Sequence, residues 1–192
     1  MTEKPLAYRR MVLSVEEGVR FLEEKRREVE ESLLLKSVKV RGFNRERDEE
    51  AFVELFNRVF QASPDPYLPL EKGEVEKIPE EGFFVAEVDG RLVGFIIAFA
   101  TGGGRVGVIG VIGVDPDYRR MGVATALAVK AAEYLIERGV EKVVTEVYVD
   151  NISSYNLIKS FGFKDAAITV YGAREAACRR HPVEARRMSF EE

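Results

Sequence analysis

The sequence predicts an α/β (α+β) fold in three layers, with helices on both faces of a mixed sheet. The first indication is the element order β-α-(α)-β-β-β-α-β-α-β-β, in which strands and helices are interleaved along the chain. The second is the length of 192 residues, which fits one domain with an appendage. The third is a composition of 46% hydrophobic and 32% charged residues, typical of soluble globular proteins. Together they exclude a disordered or fibrous chain.

The charge and residue usage exclude several function classes. A formal net charge of -4 argues against a general nucleic-acid binder. The single cysteine, Cys178, cannot form an internal disulfide or a cysteine metal cluster. The longest apolar run, 106–114, is much shorter than the roughly 20 residues of a membrane helix, and the N-terminus lacks the apolar core of a signal peptide. We therefore expect a cytoplasmic protein, and the scarcity of labile residues suggests a thermophile.

The N-terminal segment predicts a helix from Ser14 to Lys36. Ser14 is a plausible N-cap, with Glu17 at capping-box spacing. A narrow apolar stripe runs along an otherwise charged helix, so the helix is expected to pack on its own domain or on a second subunit. Residues 1–36 are thus expected to form a helical extension that could support a homodimer.

The remaining elements follow from periodicity and turn signals. Asp89 and Gly90 form a hairpin turn between two apolar runs, and Gly139 is the expected stop of a helix. The stretch 67–82 carries only a weak helical pattern. Strands are predicted at 38–43, 83–88, 91–100, 106–114, 143–149, 166–171 and 185–190, and helices at 48–60, 122–138 and 151–161.

The most informative segment is the strand–turn–helix transition at 111–127. A helix N-terminus offers unpaired N–H groups and a partial positive charge, so it attracts anions. Gly122 and Ala124 are small enough to let a phosphate approach the backbone, Arg119 and Arg120 add charge, and Thr125 adds a hydroxyl. The segment predicts either a site that binds a diphosphate or, equally, an ordinary strand–helix turn with two surface arginines.

Two other phosphate-binding motifs, the dinucleotide-binding fingerprint and the P-loop, can be excluded from the sequence. The glycines at 102, 104 and 107 match a dinucleotide fingerprint by letter, but they lead into a strand where that fingerprint must open a helix. No P-loop pattern is present in the sequence.

Two segments resemble one family, the GCN5-related N-acetyltransferases (GNAT). Residues 119–124 (RRMGVA) resemble the Gln/Arg-x-x-Gly-x-Gly/Ala motif of that family. Residues 151–163 (NISSYNLIKSFGF) are similar to its Asn-x-x-Ala/Ser-x-x-Leu-Tyr/Phe-x-x-x-Gly-Phe segment. The resemblance covers 38–192 and implies an acetyltransferase domain at 37–192, outside the N-terminal extension.

The resemblance implies a mostly antiparallel sheet that splays between its two central strands, 106–114 and 143–149. Gly110 and Gly113 suit a bulge that would start the splay. It also implies acetyl-CoA as co-substrate, no metal, and an amine acceptor, either a small molecule or a peptide or protein N-terminus or lysine. The implied coenzyme A contacts are Ile112, Gly113, Val114, Arg119, Arg120, Met121, Gly122, Val123, Ala124, Thr125, Asn151 and Ser154.

Acetyl transfer requires a neutral amine, so a base or a water chain must remove a proton. Glu146 is the preferred base, because the ribosomal-protein N-terminal acetyltransferases of this family carry a similar glutamate. The alternatives are that Glu146 is only a surface carboxylate on a half-exposed strand, and that Glu87 or water acts instead.

The expected acid is missing. Where the family places a tyrosine, this sequence has Ile158, which cannot donate a proton. Tyr155, one helical turn earlier, could replace it, or it could pack as a wall residue while the thiolate leaves unassisted. This departure keeps a second hypothesis open, a catalytically silent acyl-CoA-binding sensor or interaction module. His181 and Cys178 are expected to be an exposed loop residue and an inert thiol.

The stretch 63–82 is rich in acidic residues and could wall the acceptor site. An acidic rim would attract a cationic amine, although a solvated surface explains the same charges. The acids are Asp65, Glu71, Glu74, Glu76, Glu80 and Glu81.

Overall fold

A computed structural model describes residues 5–32 and 37–172. The expected strand at 185–190, Cys178 and His181 lie outside these ranges. The described helices and strands are β1 (Leu6–Ser14), α1 (Val15–Glu31), β2 (Lys39–Gly42), α2 (Arg45–Gln61), β3 (Phe83–Val88), β4 (Arg91–Thr101), β5 (Val106–Val114), α3 (Val123–Glu137), β6 (Lys142–Tyr148), α4 (Ile152–Ser160) and β7 (Lys164–Tyr171). The stretch 67–82 contributes a 3₁₀ turn, Val75–Lys77.

The described strands form one mixed sheet in the order β2-β3-β4-β5-β6-β1-β7. Its neighbours pair antiparallel except β5 and β6, which are parallel. β5 and β6 pair only from Val106 to Ile109, opposite Lys142 to Thr145, and then separate. The expected mostly antiparallel sheet with a splay between 106–114 and 143–149 is confirmed.

β1 corrects the expectation of a purely helical N-terminal extension. Leu6–Ser14 forms a strand inserted between β6 and β7 and pairs with both. A register shift between Arg10 and Met11 interrupts its in–out alternation. The strand was overlooked because its sequence does not keep the period of two that identifies a strand.

α1 begins where the sequence predicted. The Ser14 hydroxyl accepts a hydrogen bond from the Glu17 backbone N–H at 3.3 Å, which confirms the N-cap. The helix ends at Glu31, earlier than the expected Lys36. It packs along α3, where Arg26 pairs with Glu133 at 2.8 Å. Leu22 of the apolar stripe is buried within its own chain, Val15 and Val29 are half-buried, and Val19 is exposed. The homodimer contact stays a prediction.

Two hydrophobic clusters hold the layers together, one on each face of the sheet. α1, α3 and α4 cover one face, with Met11, Leu127 and Ile158 among its buried residues. α2 covers the other through phenylalanines, with the Phe52 ring 4.8 Å from Phe83. Each buried side chain of this size contributes about 1.5–3 kcal/mol, so both faces are firmly packed around the splay.

A bulge at Gly110 shapes the central strand. The pairing of β4 with β5 shifts between Ile97 and Ala98 and leaves Gly110 without a partner, which confirms the expected bulge there. The extra residue places Ile109 and Ile112 on the face covered by α3, while Val111 packs on the α2 face.

Gly113 has a different role from the expected bulge. It pairs in regular register with Phe95. A Cβ at Gly113 would lie 2.5 Å from the Phe95 ring and 2.9 Å from Val59 on α2. Glycine is needed here because α2 packs directly against the strand.

Candidate active site

The separation of β5 from β6 opens a cleft with a cavity of about 870 Å³. This volume is in the usual range of small-molecule sites. The N-termini of α3 and α4 and the loop after α2 complete its walls. The predicted residues that line it are Ile112, Gly113, Val114, Arg119, Arg120, Gly122, Val123, Ala124, Thr125, Glu146, Asn151 and Ser154. Met121 instead packs against the core beneath the turn.

The N-terminus of α3 carries no side-chain cap. Gly122, at the N-cap position, has φ +83° and makes no side-chain hydrogen bond. Glycine adopts this left-handed conformation without strain, and its missing side chain leaves the first-turn N–H groups accessible. Since Val123 and Ala124 line the cavity, the positive end of the helix dipole lies at the cleft. The arrangement suits an anion.

Asp115 anchors the turn that precedes α3. Its carboxyl is almost completely buried and lies 3.2 Å from Arg58 and 3.1 Å from Arg91. It also accepts the Asp117 backbone N–H at 3.0 Å. Asp115 is not among the predicted site residues, although an aspartate followed by Pro116 after a buried strand is a recognisable helix-start signal.

Two exposed arginines follow this turn. The Arg119 guanidinium donates to the Val114 carbonyl at 3.2 Å. Arg120 has a left-handed φ of 64°, unusual for a residue with a side chain. Both residues line the cavity, so they add positive charge next to the N-terminus of α3.

Asn151 caps α4 on the opposite side of the cleft. Its side-chain oxygen accepts the Ser154 backbone N–H at 2.9 Å. Its amide group donates to the Ser63 hydroxyl at 3.3 Å and to the Asp65 carboxylate. α4 is thereby linked to the loop after α2, and a ligand contact by this amide would replace one of these bonds. The pair Ser63 and Asp65 was not foreseen, and no local signal connects it with Asn151.

Glu146 follows Thr145, the last residue of β6 that pairs with β5, so it lies where the cleft opens. Its side chain is half-buried and lines the cavity. The Tyr171 hydroxyl donates to both carboxylate oxygens, at 2.9 and 3.0 Å, and fixes their orientation. Tyr171 belongs to β7, two strands away, and nothing local in the sequence places it beside Glu146.

Tyrosines and carboxylates share this end of the cleft. The Tyr8 ring contacts Tyr148 with centroids 5.6 Å apart and Tyr171 with centroids 5.8 Å apart. Burial raises the pKa of Tyr148, and a hydrogen bond to Asp150 with the negative charges of Asp150 and Asp65 raises it further. The cleft around Glu146 is therefore lined by aromatic and acidic groups such as Tyr8 and Asp65, while Arg10 lies opposite Glu146 in the register of β1 and β6.

The structure does not bring Tyr155 to the cleft. Its hydroxyl donates to Asp165 on β7 at 2.9 Å, and the Arg9 guanidinium lies 5.2 Å from its ring. Ile158, in contrast, lines the cavity and is buried. Tyr155 thus lies outside the cleft, where the Asp165 carboxylate binds its hydroxyl.

The alternative base and most of the acidic rim also lie elsewhere. Glu87 pairs with Arg41 at 2.6 Å, and Arg41 also pairs with Asp48. Of the six acids counted in the stretch 63–82, only Asp65 lines the cavity.

Within the described ranges, no group of His, Cys, Asp and Glu could hold a metal ion. In the same ranges, none of the helices is long and apolar enough to cross a membrane.

The sequence profile of the acetyltransferase (GNAT) family matches residues 49–163. The chain belongs to this family. Members of the GNAT family use acetyl-CoA as co-substrate, and the cleft of this GNAT protein contains both segments that resemble the family motifs.

Individual relatives agree with this assignment. A mycothiol acetyltransferase of Thermobispora bispora is 35% identical over 140 residues, 68% of this chain and 48% of its own length. An uncharacterised N-acetyltransferase of Methanocaldococcus jannaschii is 32% identical over 146 residues, 70% of this chain and 64% of its own length. The chain therefore spans about half to two thirds of these curated relatives.

A solved structure shows the same fold. The GCN5-related N-acetyltransferase from Sphaerobacter thermophilus superposes with a TM-score of 0.63 at 19% identity, covering 87% of this chain and 51% of that one. At this identity the likeness concerns the fold alone.

Proposed function

We propose that this GNAT protein is an acyl-CoA-dependent N-acetyltransferase that moves an acetyl group from acetyl-CoA to an amine by direct attack in a ternary complex. The observation that carries the proposal is the single cleft that joins the uncapped N-terminus of α3 to the carboxylate of Glu146. One end suits the diphosphate of the donor, and the other suits a cationic acceptor.

The donor would lie along β5. Past Ile109, none of the strands in the described ranges pairs with the edge of β5 that faces β6, so its backbone groups are available to the amide groups of a pantetheine arm. The diphosphate would accept hydrogen bonds from the first-turn N–H groups of α3, with Arg119 and Arg120 beside it. These are the residues that the family motif predicts for coenzyme A.

The reaction needs three events at the thioester. An ammonium group loses a proton to Glu146, directly or through water, and the neutral nitrogen attacks the carbonyl carbon. The C–N bond forms, the oxyanion accepts a backbone N–H of β5, and the C–S bond then breaks. The nitrogen, which carries two protons after the attack, releases one of them to water as the amide forms. The sulfur leaves as a thiolate that takes its proton from water, because Ile158 has none to give.

The acceptor proposed here is a primary amine that arrives positively charged. Asp65 and Glu146 supply negative charge around the cavity, and Tyr8 supplies an aromatic surface. Carboxylates attract a cation through space, and aromatic faces bind it at short range. These features support a small-molecule amine or a peptide N-terminus or lysine.

The test is amine-dependent release of free coenzyme A thiol from acetyl-CoA, measured with a panel of amines. We expect Glu146→Gln to lower kcat at least about a hundredfold, the contribution of a general base, without changing acetyl-CoA affinity. Glu137→Gln, at the exposed end of α3, is the matched control and should leave kcat unchanged.

The second hypothesis is a catalytically silent acyl-CoA-binding sensor, and Ile158 in place of the family tyrosine is the observation that favours it. It expects tight binding of acetyl-CoA with no thiol release for any amine, and no effect of Glu146→Gln. That combination of results would overturn the enzymatic proposal.

A further inference from the structure

A second, smaller cavity of about 90 Å³ lies between α1, α3 and the sheet. Phe21 and Leu22 of α1 form one side, and Ala128 and Ala132 of α3 form the other. Its lining is almost entirely apolar, and the Lys25 ammonium at its border is paired with Glu28 at 2.6 Å. Apolar walls of this kind favour an apolar occupant over water.

This cavity adjoins the cleft. Ile109, Ile112, Thr125 and Ile158 line both spaces, so their side chains form the wall that the two cavities share. Two of them come from β5 beside the splay, because the bulge at Gly110 turns Ile109 and Ile112 to the same face. The shared wall therefore lies next to the strand along which the donor would bind.

We propose that the second cavity receives the acyl chain of the donor, so that the protein uses acyl-CoA thioesters longer than acetyl-CoA. This inference rests on the proposed function, because it takes the cleft as the donor site. The cavity volume of about 90 Å³ equals the share of about three water molecules in the liquid, and a methylene group takes up similar space. The geometry therefore points to linear chains with up to about three carbons more than acetyl.

The other components of the reaction do not suit this cavity. An ammonium group needs a carboxylate, and neither Glu146 nor Asp65 lines it. A diphosphate needs several N–H donors or cations, whereas these walls are aliphatic and aromatic. Burial of apolar surface is what the cavity offers, and a methylene placed there gains about fourfold in affinity.

The test is isothermal titration of the full chain with coenzyme A, acetyl-CoA, butyryl-CoA and octanoyl-CoA. We expect butyryl-CoA to bind about fifteenfold more tightly than acetyl-CoA through its two additional methylenes, and octanoyl-CoA to bind no more tightly than butyryl-CoA. Ala132→Leu fills the cavity and should remove the butyryl advantage while preserving acetyl-CoA affinity. Ala51→Leu, exposed on α2, is the matched control and should change neither.

The outcomes separate the two proposals. If acetyl-CoA and butyryl-CoA bind equally, or Ala132→Leu weakens every donor to the same degree, the acyl pocket is wrong and the proposed function stands. If no thioester and no coenzyme A binds, both proposals are wrong. Thermal melting verifies that each variant folds, and Ala128→Val, a smaller change in the same wall, replaces Ala132→Leu if that variant does not.

Discussion

α3 and α4 begin on opposite sides of the same cleft, and their N-termini are built in opposite ways. α3 begins at Gly122, in a left-handed conformation and without a side-chain cap. α4 begins at Asn151, whose side chain accepts the Ser154 N–H and donates to the loop after α2. One N-terminus leaves its donors accessible, while the other uses its cap to join two parts of the wall.

The difference has an energetic meaning. An Asn N-cap stabilises a helix by about 1 kcal/mol relative to Ala and by a few tenths of a kcal/mol relative to Gly, so α3 lacks a small part of the stabilisation that α4 has. A diphosphate at Gly122 would supply the missing hydrogen bonds and, with its negative charge, interact with the helix dipole. The helix that lacks a cap is thus the one whose cap the ligand provides, and the capped helix holds the opposite wall in place.

The strongest test of this contrast is Gly122→Asp. The new carboxylate competes for the first-turn N–H groups of α3 and repels a diphosphate. Because hydrogen bonds to charged groups contribute about 1.5–3 kcal/mol each, we expect coenzyme A affinity to fall at least about a hundredfold in isothermal titration.

Gly122→Ala is the control for this variant. It carries the same left-handed strain, about 1–2 kcal/mol, but adds no competing carboxylate. An equal loss of affinity in both variants would show that backbone strain, and not access to the N–H groups, explains the effect.

A second test concerns the turn in front of α3. Asp115→Asn removes the buried charge that Arg58 and Arg91 contact. We expect the free energy of unfolding to fall by about 2 kcal/mol, and coenzyme A affinity to fall because the turn is no longer held. Asp117→Asn is the matched control, since its carboxyl is 68% exposed and surface ion pairs contribute less than about 1 kcal/mol. Similar denaturation midpoints for the two variants would contradict the anchoring role of Asp115.

The third test removes the cap of α4. Asn151→Ala should lower the free energy of unfolding by about 1 kcal/mol, with a smaller effect on coenzyme A affinity than Gly122→Asp.

Asn151→Asp keeps an acceptor for the Ser154 N–H but places a carboxylate beside Asp65. That variant should regain stability as the pH falls and one of the two carboxylates is protonated, which urea denaturation over a pH series measures. A pH-independent loss would contradict the link to Asp65.

The N-termini of α3 and α4 also differ in how much of their structure can be predicted from the sequence. The α3 site depends on neighbours along the chain, a strand end, a turn and small residues at 122 and 124, so it was found from local pattern. The contacts of Asn151 with Ser63 and Asp65 join positions 88 and 86 residues apart. Periodicity and capping rules describe only near neighbours, so this link required the folded chain.

The two residues considered for catalysis, Glu146 and Tyr155, show the same difference between local and long-range contacts. The family motif led to Glu146, but its orienting partner Tyr171 became visible only with β1 inserted between β6 and β7. Helical spacing leaves open whether Tyr155 replaces the missing acid or only packs, and in the structure its hydroxyl donates to Asp165 on β7, outside the cleft. Local sequence predicts where a backbone site lies, whereas side-chain orientation depends on partners that the sequence places far away.

The smallest expected effect comes from a variant that tests whether side-chain charge or the backbone N–H groups of α3 bind the diphosphate. Arg120→Ala removes one exposed charge beside Gly122, so coenzyme A affinity should fall only about threefold, as expected for a charge at a helix terminus. Salt screens exposed charges, and titrations at low and high salt should therefore show the variant and the wild type converging. The loss caused by Gly122→Asp should persist at high salt, since it arises from direct competition for the N–H groups.

Arg138→Ala, at the other end of α3, is the control and should leave coenzyme A affinity unchanged. If Arg120→Ala instead lost as much affinity as Gly122→Asp, the diphosphate would be held by the arginine and not by the uncapped helix.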